Sequence, residues 1–357
     1  MYPRDFWFVI CESTEVMDKM LSRTILDRTL VVYRTKTGEP VVLEDFCPHR
    51  GMPLSAGKVE GDSVRCGYHG MLVGRDGGCR AMPGQPQISR LKGVRSFPVL
   101  EKFGYVWVWP GDPALADPAK LPALPWDEGT GWTFGGGLYR IECNYQYLID
   151  NLMDLTHETY VHPNSIGQAE IDEAKPEVTV KGDEVFVTRW MNNITPPPFW
   201  ANMIHTTAPC DRWQICRFVP PANVFIDVGV ALAGTGAPQG DRSKGITGLV
   251  VDLITPETET SCWYFWGMAR NFNIDDAKLT EDLRKNQGAV FAEDEAVLEL
   301  QQRNVLRNPD KRLVNLDIDR GGSHVRRIIA RLCQAEEVSE PSSLRPAPKT
   351  GTPAPGR

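Results

Sequence analysis

Residues 47–70, CPHRGMPLSAGKVEGDSVRCGYHG, place Cys47 and His49 one residue apart, then Cys66 and His69 two residues apart. A soft thiolate beside an imidazole, twice, is a donor set for a metal centre. A tetrahedral zinc site could use these four side chains, but common zinc modules pair Cys with Cys and His with His. One Cys and one His from each of two loops suits a [2Fe-2S] cluster better, both thiolates on one iron and both imidazoles on the other. Unrelated buried cysteines and surface histidines would be a poor account of a segment that captures two of nine Cys and two of six His at matched spacing. Gly51, Gly67 and Gly70 fit loops that turn tightly and approach the sulfurs closely.

Such a cluster carries one electron and does not itself transform an organic substrate, so the rest of the chain should hold an acceptor. In DNLMDLTHETYVHP, residues 150–163, the pattern predicts a helix ending near Pro163, with Asp154 and His157 three apart on one face. His157 and His162 could then occupy adjacent positions on one metal; helix-end histidines satisfied by local carbonyls are the plainer alternative. A 2-His-1-carboxylate iron also needs Asp or Glu. The helix expected at 279–306 offers Glu293, Asp294 and Glu295. An inward stripe of Leu283, Val290, Val297 and Val305 selects Asp294, with its neighbours rotated about 100° to either side. A carboxylate on that face needs a metal or a partner to offset its desolvation; an ordinary solvated acidic patch is the alternative.

These residues require two kinds of scaffold. At 357 residues, two domains are the natural expectation. The first, 1–112, has short runs such as TLVVYRT, PVVLEDF and YVWVWPGD between Gly and Pro, which read as antiparallel strands. PALADPAKLPALP, residues 113–125, reads as a connection. The second domain, 113–335, combines hairpins around Lys181-Gly182-Asp183 and around TPETET with helices near 143–160, 279–306 and 323–334, an α+β pattern. Residues 336–357 are too poor in apolar groups to offset ordering and are expected to be a disordered tail. A net charge of −7 gives no reason to expect nucleic-acid binding. No signal core or membrane span is expected from the N-terminus, so the cytoplasm is the default location. An odd number of scattered Cys argues against a disulfide framework.

CPHRG, CGYHG, DNLMDLTHETYVH and AEDEAVLELQQ together closely resemble the Rieske non-haem iron aromatic oxygenases, over nearly the whole chain to about residue 335. MPGQ, YVWVWPGD, DRWQICRF and YFWGMARNF are most similar to the vanillate O-demethylase type. The resemblance implies an all-β Rieske [2Fe-2S] domain followed by a helix-grip catalytic domain, an antiparallel sheet plus helices. It implies a homotrimer served by an iron-sulfur flavoprotein reductase that uses NADH and FMN. By resemblance, Cys47, Cys66, His49 and His69 bind the cluster, and His157, His162 and Asp294 hold mononuclear Fe(II). Asp154 joins an iron ligand to a cluster ligand of the neighbouring subunit. Asn151, one helical turn before Asp154, either supports the same bridge or stays near the iron. The implied reaction uses O2 to convert an aryl methoxy group, as in vanillate, to a phenol and formaldehyde. Toluenesulfonate and chlorinated methoxybenzoate are alternative substrates, and a plain Rieske electron carrier is the alternative class. Phe199, Trp200, Trp263, Phe265 and Trp266 are candidates to stack on the aromatic substrate, although aromatic strand residues are more often core. Arg217 or Asn223 could meet a substrate carboxylate.

Overall fold

The computed structural model describes residues 1–88, 91–126, 131–163 and 174–339. Its N-terminal part is three small antiparallel sheets. The first pairs β1 (Phe8–Glu12), β11 (Tyr105–Val108) and β10 (Val99–Lys102). The second orders β2 (Leu21–Ile25), β3 (Arg28–Arg34), β4 (Pro40–Glu44) and β9 (Ser96–Phe97). The third orders β5 (Lys58–Glu60), β6 (Ser63–Arg65), β7 (Leu72–Gly74) and β8 (Cys79–Ala81). Strand β3 shows why its sequence is apolar without alternation. Leu30 and Val32 face one core, with Phe8, Ile10 and Val106, while Val31 and Tyr33 face another, with Leu54, Val64 and Val73. That second core is the floor beneath Cys47 and Cys66.

The proline-spaced connection is docked. Two 3₁₀ turns, Pro113–Leu115 and Pro118–Lys120, are capped by the Asp112 and Asp117 side chains. Trp7 Nε1 donates to Asp117 O at 2.8 Å, and Leu121, Leu124 and Trp126 pack with Trp7, Trp107 and Trp109.

The C-terminal part is a seven-stranded antiparallel sheet, ordered β12 (Thr133–Ile141), β18 (Ser261–Arg270), β17 (Gly245–Thr258), β16 (Asn223–Leu232), β15 (Cys210–Val219), β14 (Glu184–Ile194) and β13 (Glu177–Lys181). Among the described residues, five helices accompany it: α1 (Tyr145–Leu152), α2 (Glu158–Val161), α3 (Pro198–Ile204), α4 (Ala277–Arg307) and α5 (Arg320–Ser339). One sheet face carries Val250, Ile254, Tyr264 and Trp266 against Phe291 and Leu298 of α4. The other carries Val251, Leu253 and Phe265 against Trp7, Trp107 and Trp109. The sheet is therefore buried on both sides, and its strands read as continuous apolar runs. Among the described residues, no helix is long and apolar enough to cross a membrane.

Three expectations about helices are corrected. The helix expected at 143–160 breaks between α1 and α2, so Asp154 lies outside both and does not share a helix face with His157. Its Oδ1 instead accepts from the Thr156 N–H and hydroxyl, each at 2.7 Å, a local pairing that competes with helix continuation. On α4, Val297 is 43% exposed. The inward stripe is Val290, Phe291, Asp294, Leu298 and Gln302, which retains Asp294 but moves the face by one residue. Finally, α5 runs to Ser339, into the expected tail. Glu336 is buried there, accepting from the Arg4 N–H at 2.8 Å and the Asp5 N–H at 2.9 Å. The rest of that tail, 340–357, lies outside the described residues.

Candidate metal centres

The two loops that follow β4 and β6 repeat one backbone pattern. Cys47 N–H donates to Met52 O at 2.8 Å and Gly51 N–H to Cys47 O at 2.8 Å. Cys66 N–H donates to Met71 O at 2.9 Å and Gly70 N–H to Cys66 O at 3.2 Å. Both turns close through a left-handed residue, Gly51 at φ 71° and Gly70 at φ 73°, where a side chain would be strained. A Cβ on Gly67 would stand 2.9 Å from Ala56 O, so the loops also approach their neighbours closely. The thiols of Cys47 and Cys66 are buried and interact, while His49 and His69 are exposed with ring centroids 4.5 Å apart. Burial lifts the Cys47 thiol above its ordinary value, which a bound cation would reverse. Buried sulfurs beneath paired exposed imidazoles fit a [2Fe-2S] cluster with mixed ligation. Asp45 clamps the first loop, accepting from Ser22 Oγ at 2.7 Å and from Ser55 N and Oγ at 2.8 and 2.6 Å.

The second site joins α2 to α4. His157 Nε2 lies 3.5 Å and His162 Nε2 3.2 Å from Asp294 Oδ1, and the three ligand atoms fall within 4.8 Å of one another. Asn151 Nδ2, from the last turn of α1, donates to the same Asp294 oxygen at 2.9 Å. Burial alone would raise the Asp294 carboxyl, but the hydrogen bonds of His157 and His162 outweigh it and bring the group down to about 2. Two imidazoles and one carboxylate in this arrangement fit a mononuclear iron with positions left for other ligands. His157 Nδ1 is buried and has no partner among the described residues; Asp154 Oδ2 is 3.8 Å away, too far for a hydrogen bond.

Glu293, which sequence periodicity rotates away from the site, has its own place in it. Its Oε2 lies 2.6 Å from His162 Nδ1, which fixes the ring with Nε2 toward Asp294. The position i−1 to a ligand on α4 does not reveal this, because the partner imidazole arrives from α2.

The substrate candidates divide by strand alternation. Trp263 and Phe265 face the N-terminal domain, and Trp263 Nε1 donates to Thr24 O at 2.9 Å. Arg217 is paired with Glu184 at 2.6 Å on the surface, and it and Asn223 pair with Phe225 and Leu253, residues of the face away from Asp294. None of these four can line a site at the triad. Phe199 and Trp200 sit on α3 in a separate cluster with Met268 and Phe272. That cluster also holds Leu279 and Leu283 of α4, and Met268 lies two residues along β18 from Trp266, so Phe199, Trp200 and Trp266 are all on the side of the sheet that grips α4; a Cβ on Gly288 would stand 2.9 Å from the Trp266 ring.

A mixed Cys/His cluster site and a buried His/His/Asp iron site on one chain define a Rieske-type non-haem iron oxygenase. Residues 6–98 match the Rieske [2Fe-2S] domain and residues 141–335 the vanillate O-demethylase oxygenase C-terminal domain. The chain belongs to the vanillate O-demethylase oxygenase family. It is 49% identical to a vanillate O-demethylase oxygenase subunit of a Pseudomonas species, over 96% of this chain and 98% of that one. It is 36% identical to the oxygenase component of dicamba O-demethylase from Stenotrophomonas maltophilia, over 94% of this chain and 99% of the relative. The crystal structure of dicamba monooxygenase bound to 3,6-dichlorosalicylic acid superposes with a TM-score of 0.87 at 34% identity, covering 95% of this chain and 99% of that one.

Proposed function

We propose that this chain is the oxygenase component of a monooxygenase that O-demethylates vanillate, 4-hydroxy-3-methoxybenzoate, to protocatechuate and formaldehyde. The observation that carries this reading is near-full-length identity of about half with vanillate O-demethylase oxygenase subunits. Electrons come from NADH through a separate iron-sulfur flavoprotein reductase. The balance is one aryl methyl ether, O2, NADH and a proton giving one phenol, formaldehyde, NAD⁺ and water. The hydroxylated methyl group is a hemiacetal, which loses its hydroxyl proton and breaks the bond between the ring oxygen and the former methyl carbon, so that the carbon leaves as formaldehyde and the ring oxygen takes up a proton as the phenol.

Cys47, Cys66, His49 and His69 would hold the cluster, and His157, His162 and Asp294 the iron. When bound, the cluster supplies single electrons and the iron supplies the activation of O2. The protein's own part is to fix these ligands and keep the site dry. Asn151 holds Asp294 Oδ1, and Glu293 holds His162. As the family resemblance implies, Asp154 links His157 to a cluster imidazole of a neighbouring copy in a homotrimer, and the exposure of His49 and His69 on their own subunit leaves them open to such a contact. The working location is the cytoplasm. The cluster belongs to a domain of residues 1–112 and the iron to a domain of residues 113–335.

The test is oxygen uptake by the purified chain with a reductase and NADH over a panel containing vanillate, toluene-4-sulfonate and dicamba, with formaldehyde measured. Stoichiometric formaldehyde and protocatechuate from vanillate are expected. Turnover of another ring in preference to vanillate overturns the substrate assignment.

A further inference from the structure

Strand β17 is apolar through GLVVDLI except at Asp252. Asp252 lies directly across from Val224 of β16 and Trp266 of β18, on the face that packs against Phe291 and Leu298. Those two residues flank Asp294 on the inward stripe of α4. Asp252 is fully buried. Its Oδ1 accepts from the Tyr264 hydroxyl at 2.7 Å, and its Oδ2 has no partner among the described residues. The indole N–H of Trp266, on the neighbouring strand, is also buried and without a partner among them. Orphaned buried polar atoms are rare because each forfeits its hydration, and a neighbouring acceptor and donor together point to a ligand that supplies both complements. Burial pushes the Asp252 carboxyl up to about 8, against the Tyr264 hydrogen bond and with the Asp294 charge adding to the rise, so the two carboxyls sense each other.

We propose that Asp252, held by Tyr264, is a specificity-determining residue that accepts a hydrogen bond from the ring hydroxyl ortho to the substrate's methoxy group. This inference rests on the demethylase reading above. If the methoxy carbon is oxidised at the triad, its ortho neighbour on the ring is the substituent nearest to it. In 4-hydroxy-3-methoxybenzoate that neighbour is a hydroxyl, the one group of the ligand that can donate. Trp266 Nε1 can donate to the same hydroxyl oxygen. The ring carboxylate is the poorer occupant of this position, since it would bring a charge into a fully buried site where the Asp294 charge is already felt. Asp252 has no solvent contact, so the ring reaches it only when the side chains over this sheet face part. A site that hydrogen-bonds a substrate hydroxyl rejects the analogue lacking it far more strongly than an apolar pocket rejects a change of size.

The experiment compares wild type, Asp252→Asn and Asp252→Leu with vanillate and with 3-methoxybenzoate, which lacks the hydroxyl. Binding is measured by calorimetry on the iron-loaded chain, and kcat/KM by formaldehyde release with the reductase. Wild type should prefer vanillate by roughly 10²–10⁴-fold in kcat/KM. The ratio should fall to within a few-fold of one in Asp252→Leu and lie between in Asp252→Asn, whose amide oxygen still accepts. A ratio in Asp252→Leu equal to that of wild type overturns the assignment; should Leu not fold, an unchanged ratio for both kcat/KM and binding in Asp252→Asn does so. Absence of formaldehyde from both rings with wild type overturns the demethylase reading, and the binding ratio then still decides Asp252. Failure of wild type to bind either ring overturns both.

Discussion

The residues assigned to the cluster, Cys47, His49, Cys66 and His69, lie within one 24-residue stretch, on two loops whose backbone hydrogen bonds repeat each other. At the iron site, His162 meets Glu293 across 131 residues of sequence, and Asn151 meets Asp294 across 143. The first site is shaped by its own turns. The second exists only while α1, α2 and α4 are packed on one sheet face. Local geometry makes the cluster site robust to distant substitutions, whereas the triad inherits every shift of α4.

The largest break in this comparison is Asp294→Ala. It removes one of three iron ligands without touching the loops, so iron should fall from about three to about two per chain while the visible cluster spectrum persists. Product formation should vanish. His69→Cys is the converse: the visible spectrum changes or disappears, and NADH-driven turnover collapses because a thiolate adds negative charge to the cluster. Unaltered turnover in that variant would remove the cluster assignment.

Next in size is Asp154→Asn, which acts between the sites. It keeps the side chain's shape and its acceptor for Thr156 but removes the charge facing His157. Both centres should stay occupied and the reductase should still reduce the cluster. Cluster reoxidation in a single turnover with substrate and O2 should slow by orders of magnitude. Normal reoxidation with loss of iron would show Asp154 to be structural support only.

Glu293→Ala should have a smaller effect, confined to the triad. With His162 Nδ1 unpartnered, the ring is free to turn, and Fe(II) affinity should weaken roughly 10–100-fold, with Glu293→Gln recovering part of it. A chelator competition reads this directly. An unchanged affinity in the alanine variant would mean that packing alone orients His162.

The same contrast governs what could be read from the sequence. The residues assigned to the cluster stand out in the sequence because spacing and loop glycines are local. Asp294 was legible through helical period, although the stripe that pointed to it was displaced, with Val297 exposed and Phe291 and Leu298 buried in its place. Asp154 was found beside His157, but the helix break that frees it depends on its own capping of Thr156. Arg217, Asn223, Trp263 and Phe265 were misplaced because a sheet buried on both faces hides which face each residue takes. In such a strand the lone polar residue is the better signal, and Asp252 was there to be seen.

The smallest effect sharpens the comparison at the seam between the two regions. Glu336 of α5 accepts the backbone N–H groups of Arg4 and Asp5, so the end of the catalytic domain holds the start of the cluster domain. Hydrogen bonds to a charged acceptor contribute about 1.5–3 kcal/mol gross, reduced here by the desolvation of a carboxylate that is largely buried. Glu336→Ala should therefore cost about 1–2 kcal/mol and lower the midpoint of thermal unfolding by a few degrees. Burial raises the Glu336 carboxyl above its ordinary value, with the Asp5 and Arg4 N–H groups opposing it in part. A raised acid binds its proton more tightly in the folded chain, so this contribution is greatest below the ordinary carboxylate range and declines as pH rises through the raised value. The stability gap between wild type and Glu336→Ala should narrow over that interval, while Glu336→Gln, neutral throughout, should show no such change. Both variants should keep the cluster spectrum and full iron content. Loss of iron in Glu336→Ala with the cluster intact would mean that the seam, and not only the packing of α4, holds the triad in place.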